Sequence, residues 1–164
     1  SNLQLIDYTD DFAQLYDRTA GLDDAARVAA FKAHFRPLLP GFYDHERHGL
    51  PDASRYDARF LERLADYPAQ RAAIADVSRR FASMLAPAER SFEQVFGPMT
   101  GYPPILLVNS LGEFDGGTRE LGGVGYLMFG ADTFSAIARH RHCPLTRSFT
   151  SSGVRFRSGC SMTC

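Results

Sequence analysis

The chain has no tryptophan, only one lysine (Lys32), and no apolar run approaching the roughly 20 residues that a membrane-crossing helix needs. The missing span predicts a soluble protein. Neither sign of charge is in excess: 18 basic side chains stand against 19 acidic ones, a formal net charge of -1. So balanced a chain carries no electrostatic footprint for nucleic acid or anionic lipid, which argues against both as partners. A lone lysine among the basic residues reads as coding bias rather than as a selected arginine surface. Cysteine is scarce, and Cys143, Cys160 and Cys164 all fall in the last 22 residues. An odd number cannot pair completely within one chain. Free thiols suit the cytosol, and one disulfide with a spare thiol suits an oxidising compartment. The chain opens Ser1-Asn2-Leu3 without methionine, as expected of a processed or trimmed product, so cytoplasmic residence and export after loss of a signal peptide both stay open.

What is present suffices for one core. At 164 residues and 45% hydrophobic content the chain is long enough for one ordinary domain and too short for two, so residues 1–164 are expected to fold as one unit. Apolar stripes at helical spacing divide the first hundred residues into about five helices broken by proline and glycine. Thr9 is placed to cap the first, which carries Phe12, Leu15 and Tyr16. Asp23 or Asp24 caps the second, with Val28, Phe31 and Phe35. Asp52 starts a third along Tyr56, Phe60 and Leu64, Pro68 favours a fresh start for a fourth, and Pro87 opens a fifth that ends at Gly97-Pro98. These stripes are read as core.

Residues 103–132, PPILLVNSLGEFDGGTRELGGVGYLMFGAD, change character. Apolar runs at 105–108 and 124–129 read as neighbouring strands of one sheet. Between them lie Asn109, Ser110, Glu113, Asp115 and six glycines counted from Gly112 to Gly125. Glycine at that density means positive φ, bulges or close backbone approach, and turn chemistry alone reads the segment as a long hairpin connection. A helix is compatible with the spacing after Asp132, and residues 143–164 form an irregular tail. Helices first and strands second make the fold class α+β.

The stretches ILLVNSLGEFDG and YLMFGAD resemble the strands that precede the metal-binding helix in a family of uncharacterised bacterial proteins, the predicted zinc-dependent proteases of zincin type. The likeness is strong over the middle third of the chain and loose over the helical part. It implies the N-terminal half of a zincin-like domain, followed in intact relatives by an H-E-x-x-H helix whose histidines bind zinc and whose glutamate is the general base. At the corresponding place residues 144–153 read PLTRSFTSSG, and no H-E-x-x-H occurs in the 164 residues. The resemblance therefore implies a catalytically incomplete relative with no catalytic residues and no cofactor of its own, zinc belonging to intact relatives. Peptide binding without cleavage is the function left, with the strand at 125–130 aligning an extended peptide by β-addition. The tail is then either a native irregular terminus or a departure of reading frame from the family.

Candidate substrate-binding residues are Asn109, Ser110, Glu113, Asp115, Gly125, Tyr126 and Asp132. Glu113, Asp115 and Asp132 bracket the two strands and can polarise water or hold a cation if they converge. Each also has a structural duty open to it: Asp115 before Gly116-Gly117 suits a turn, and Asp132 suits a helix cap. Asn109, Ser110 and Arg119 can bind substrate backbone or stabilise the loop. The run His45-Glu46-Arg47-His48 spaces its histidines one residue short of H-E-x-x-H and reads as a solvated polar turn. A different class of function, an interaction or scaffold module, rests on His140, His142, Cys143, Cys160 and Cys164 as a structural zinc site, in competition with a disulfide or free thiols.

Overall fold

The computed structural model describes residues 2–98 and 100–135. Among them a short strand, β1 (Leu5–Asp7), leads into α1 (Thr9–Arg18), α2 (Asp24–Phe35), a 3-10 turn at His45–His48 and the long α3 (Ala53–Phe96). Three strands follow, β2 (Ile105–Val108), β3 (Gly116–Leu121) and β4 (Val124–Gly130), and residues 131–135 are helical. The fold is α+β. No described helix is long and apolar enough to cross a membrane. Residues 136–164, with the expected irregular tail and the candidate zinc ligands His140, His142, Cys143, Cys160 and Cys164, lie outside the described residues.

Each of α1, α2 and α3 begins beside a carboxylate that accepts from backbone N–H groups of its first turn. Asp7 accepts from the backbone N and the Oγ1 of Thr9 at 2.8 and 2.7 Å just ahead of α1, whose N-cap is Tyr8 with no side-chain cap bond; Thr9, expected as the cap, is the first helical residue. Asp23 accepts from Ala26 N at 2.9 Å to start α2, and Asp52 accepts from Ser54 N at 2.9 Å to start α3. The stripes on the first two helices are buried as expected, Phe12 and Leu15 on α1 and Val28, Phe31 and Phe35 on α2, whereas the fifth expected core stripe, Phe92, Val95 and Phe96, is exposed because no described element packs over that end of its helix. Residues 53–96, which spacing divides into three helices, run as a single helix of 44 residues with Pro68 and Pro87 inside it. Each proline removes one N–H from the ladder and costs about 3 kcal/mol or more. Around Pro68 the buried face continues from Tyr56, Phe60, Leu64 and Tyr67 across to Ile74, and packing of that face outweighs the local penalty.

The strands form one sheet in the order β1-β2-β4-β3. As expected, β2 and β4 are neighbours, with Ile105 opposite Leu127 and Val108 opposite Gly130. They are parallel, however, and that corrects the hairpin reading: parallel neighbours need a crossover. The crossover contains β3, an edge strand antiparallel to β4 with Gly116 opposite Phe129 and Leu121 opposite Val124. The β3–β4 hairpin closes through Gly122-Gly123, whose φ values of 57° and 79° both lie in the left-handed region that a two-residue type I′ turn demands. The strand β1 has no counterpart in the sequence reading; three residues show no period, and Leu5–Asp7 is extended because it pairs in parallel with Ile105–Leu107 of β2.

Directly paired residues share a sheet face, so Asp7, Leu107, Phe129 and Gly116 form one row across the four strands. α3 lies over that row. Ser78 Oγ donates to Asp7 Oδ2 at 2.6 Å, and the Phe81 ring centroid is 5.0 Å from that of Phe129. Gly116 leaves room for that ring, since a Cβ there would stand 2.7 Å from Phe129. On the opposite face Leu106 and Met128 are buried in the same core as Phe42 and Tyr43, and Pro40 abuts Gly122.

Candidate functional site

The carboxyl ends of β2 and β4 open into a cleft of about 200 Å³, lined by Arg63 and Gln70 of α3, by Asn109, Leu111 and Gly112 after β2, and by Asp132 and Thr133 after β4. Two of its walls come from one clasp. Asp132 Oδ1 accepts from the N and Oγ of Ser110 at 2.7 and 2.9 Å, and Oδ2 accepts from Gly112 N at 2.6 Å. Its carboxylate thus holds the start of the β2–β3 loop instead of capping the helix it begins. Between the two held amides sits Leu111, which has φ 57°, the one positive value outside glycine among the described residues. Asn109 Oδ1 accepts from Leu111 N at 3.0 Å and helps to fix it. An L-residue in that conformation costs about 1–2 kcal/mol, offset here by the clasp and by burial of the Leu111 side chain.

The three acids expected to bracket the strands take separate duties. Asp115 is exposed, and its Oδ1 accepts from Gly116 N at 2.8 Å. Glu113, with only 7% of its side chain exposed, is held by Arg47, and His48 Nε2 lies 3.3 Å from its Oε1. Among the described residues no group of three or more His, Cys, Asp or Glu is placed to hold a metal ion. Glu113 and Asp132 are committed to a guanidinium and to backbone amides, so the donor set in this region does not fit zinc.

The turn His45–His48 is polar, as its sequence reads, but it is a docking element as well as a solvated one. The ring of His48 stacks on Tyr56, centroids 5.0 Å apart, and the Arg47 guanidinium lies 4.3 Å from the Phe42 ring centroid. Burial pushes the Glu113 carboxyl above its ordinary range, against the pull of Arg47 and Arg59. Burial first, then the charges of Arg47 and Arg59, push His48 below its ordinary value. The signs of the two differ. A histidine depressed in the folded state contributes stability that is present above pH 6.5, its unfolded value, and lost as pH falls below it. A raised carboxyl favours the folded state at acid pH and loses that contribution as pH rises from its unfolded value of 4.5 through the folded one. Charged and titratable groups facing His48 are Arg47, Arg59, Glu113 and Tyr56. His48→Phe keeps the stack on Tyr56 and removes the titration. Urea unfolding at pH 7.5 and pH 5.5 is expected to show a smaller acid loss of stability in His48→Phe than in the wild type, and equal losses would refute the assignment.

Of the seven candidate binding residues, the structure gathers five at the carboxyl ends of the strands: Asn109, Ser110, Glu113, Asp115 and Asp132. Gly125 and Tyr126 lie at the other end of β4, beside the Gly122-Gly123 turn. β4 is hydrogen-bonded on both sides, to β2 and β3, so it cannot accept an added strand; this corrects the assignment of β-addition to residues 125–130. Among the described residues the sheet is unpaired at two edges, the three-residue β1 and the longer β3. Arg63 and Gln70 have no signal in the sequence, and the run His45–His48 carries none that links it to Glu113, because Arg47 meets that residue from 66 positions away.

An α+β protein with a mixed four-stranded sheet, a polar cleft at the carboxyl ends of its central strands and an exposed edge beside that cleft is the class the coordinates define. No protein-family model, no curated protein and no solved structure matches the chain.

Proposed function

We propose that this chain is a catalytically incomplete relative of zinc metallopeptidases that holds an extended peptide, uncleaved, on the free edge of β3. The observation that carries the reading is the edge itself, six residues long and mostly exposed. Gly130 N donates to Asp115 O at 2.9 Å, which sets the phase of the β3–β4 ladder. Alternation from that pair turns the N–H and C=O groups of Gly117, Arg119 and Leu121 towards β4 and those of Gly116, Thr118 and Glu120 outwards. Such a row of outward groups is what β-addition uses for affinity. The missing H-E-x-x-H accounts for binding without cleavage, since no histidine pair or glutamate stands at 144–153 to bind zinc and act as base.

Thr118→Pro is the direct test. Proline at an outward-facing edge position removes a donor that the ladder to β4 does not use, so the fold is expected to survive with a small change in melting temperature. Fluorescence anisotropy with labelled, extended, threonine- and valine-rich peptides is expected to register binding to the wild type and none to Thr118→Pro. Undiminished binding by a folded Thr118→Pro chain would refute the edge as the site. Casein and short peptides are expected to remain intact, and cleavage abolished by a chelator and restored by zinc would refute catalytic incompleteness.

A further inference from the structure

Resting on that reading of the β3 edge, we infer that Asp115 and Arg119 latch the edge and select its partner: an extended peptide antiparallel to β3, carrying an acidic side chain and, four residues later, a basic one. Two of the outward backbone groups are already taken. Asp115 Oδ1 accepts from Gly116 N at 2.8 Å, and Arg119 Nη1 donates to Thr118 O at 2.9 Å. An incoming strand replaces both bonds with its own carbonyl and amide, and in doing so frees one carboxylate and one guanidinium.

Where those freed charges stand decides what they can meet. Asp115 and Arg119 are an even number of positions apart, so both side chains leave the same sheet face, about 13 Å from each other at strand spacing. It is the face away from α3, because the odd-numbered residues of β3 alternate with Gly116, which shares the Phe129 face. Arg119 is held there over the Phe114 ring, 5.3 Å from its centroid. In antiparallel addition the outward groups of 116, 118 and 120 form the hydrogen-bonded pairs. Residues 115 and 119 then fall opposite partner residues in non-hydrogen-bonded pairs, the arrangement that brings cross-strand side chains closest. The antiparallel partner runs past Arg119 first and Asp115 second, which sets the order acidic, then basic.

Two labelled peptides of the same threonine- and valine-rich composition test this by anisotropy on the full chain: one with glutamate four residues before lysine, one with the two exchanged. The glutamate-first peptide is expected to bind roughly tenfold tighter, as two favourable cross-strand charge pairs allow. The double variant Asp115→Lys, Arg119→Glu is expected to invert the preference. If both peptides bind equally to the wild type and lose binding in Thr118→Pro, the edge stands as the site and the latch is refuted. If the preference survives the double variant, other residues set it and the latch is likewise refuted. If neither peptide binds, the edge reading and this inference fall together.

Discussion

Gly130→Ala is expected to destabilise the chain by about 3 kcal/mol or more, the upper range for forcing extra atoms into a packed interior. A Cβ at residue 130 would stand 2.3 Å from the carbonyl oxygen of Phe114 and 2.8 Å from Ser110 Oγ. The first of these is backbone and cannot swing aside. Phe114 O accepts from Thr133 Oγ1 at 2.9 Å, and the next residue's carbonyl accepts from Gly130 N. Relief therefore requires moving the whole β2–β3 loop where it passes over the end of β4. Chemical denaturation is the measurement, and a loss below about 1 kcal/mol would mean that the loop is not held as described. Gly123→Ala is an informative comparison, because nothing lies within 4 Å of the Cβ it would add and its cost should reflect only the left-handed φ of 79°.

Asp132→Ala is expected to cost about 4 kcal/mol, since it removes one buried carboxylate that satisfies two backbone N–H groups and a hydroxyl at once. Each donor left buried without a partner forfeits about 1–3 kcal/mol. The positive φ of Leu111 is stabilised only while the amides on either side of it are held, so the loop should relax as the clasp goes. Amide exchange at Ser110 and Gly112 is expected to accelerate far more than exchange in β2 itself. Asp132→Asn retains one acceptor and should lose roughly half as much. Wild-type stability in Asp132→Ala would sink the clasp.

The two substitutions probe the same piece of architecture from its two ends. The β2–β3 loop of seven residues, 109–115, lies across the end of β4, and it is both the roof of the cleft and the entry to the edge strand. Asp132 holds its start, Arg47 holds Glu113 near its middle, and Gly130 N holds its end. A peptide held on β3 would lie beside this loop, so the precision of the loop sets how the edge is presented.

The sequence by itself determined the fold class, the buried helical stripes as far as Ile74, the pairing of β2 with β4 and the lack of a zinc-binding helix motif. These are matters of local period and composition: an amphipathic helix must bury its apolar face, and a run such as Ile105–Val108, buried at every position, has nowhere to go but a sheet interior. Tertiary structure decided the rest. GGTREL has turn composition and becomes β3 only because β4 offers it an unpaired edge. Pro68 and Pro87 read as helix starts, yet α3 runs through both; at Pro68 the packed face from Tyr56 to Ile74 is worth more than the N–H group lost. Glu113 meets Arg47 across 66 residues and Asp132 meets Ser110 across 22, contacts between residues whose own neighbourhoods carry no trace of the partner. Periodicity records which face of an element is buried. Which element lies against it, and so which charges are paired and which edge is left open, is settled only when the whole chain packs.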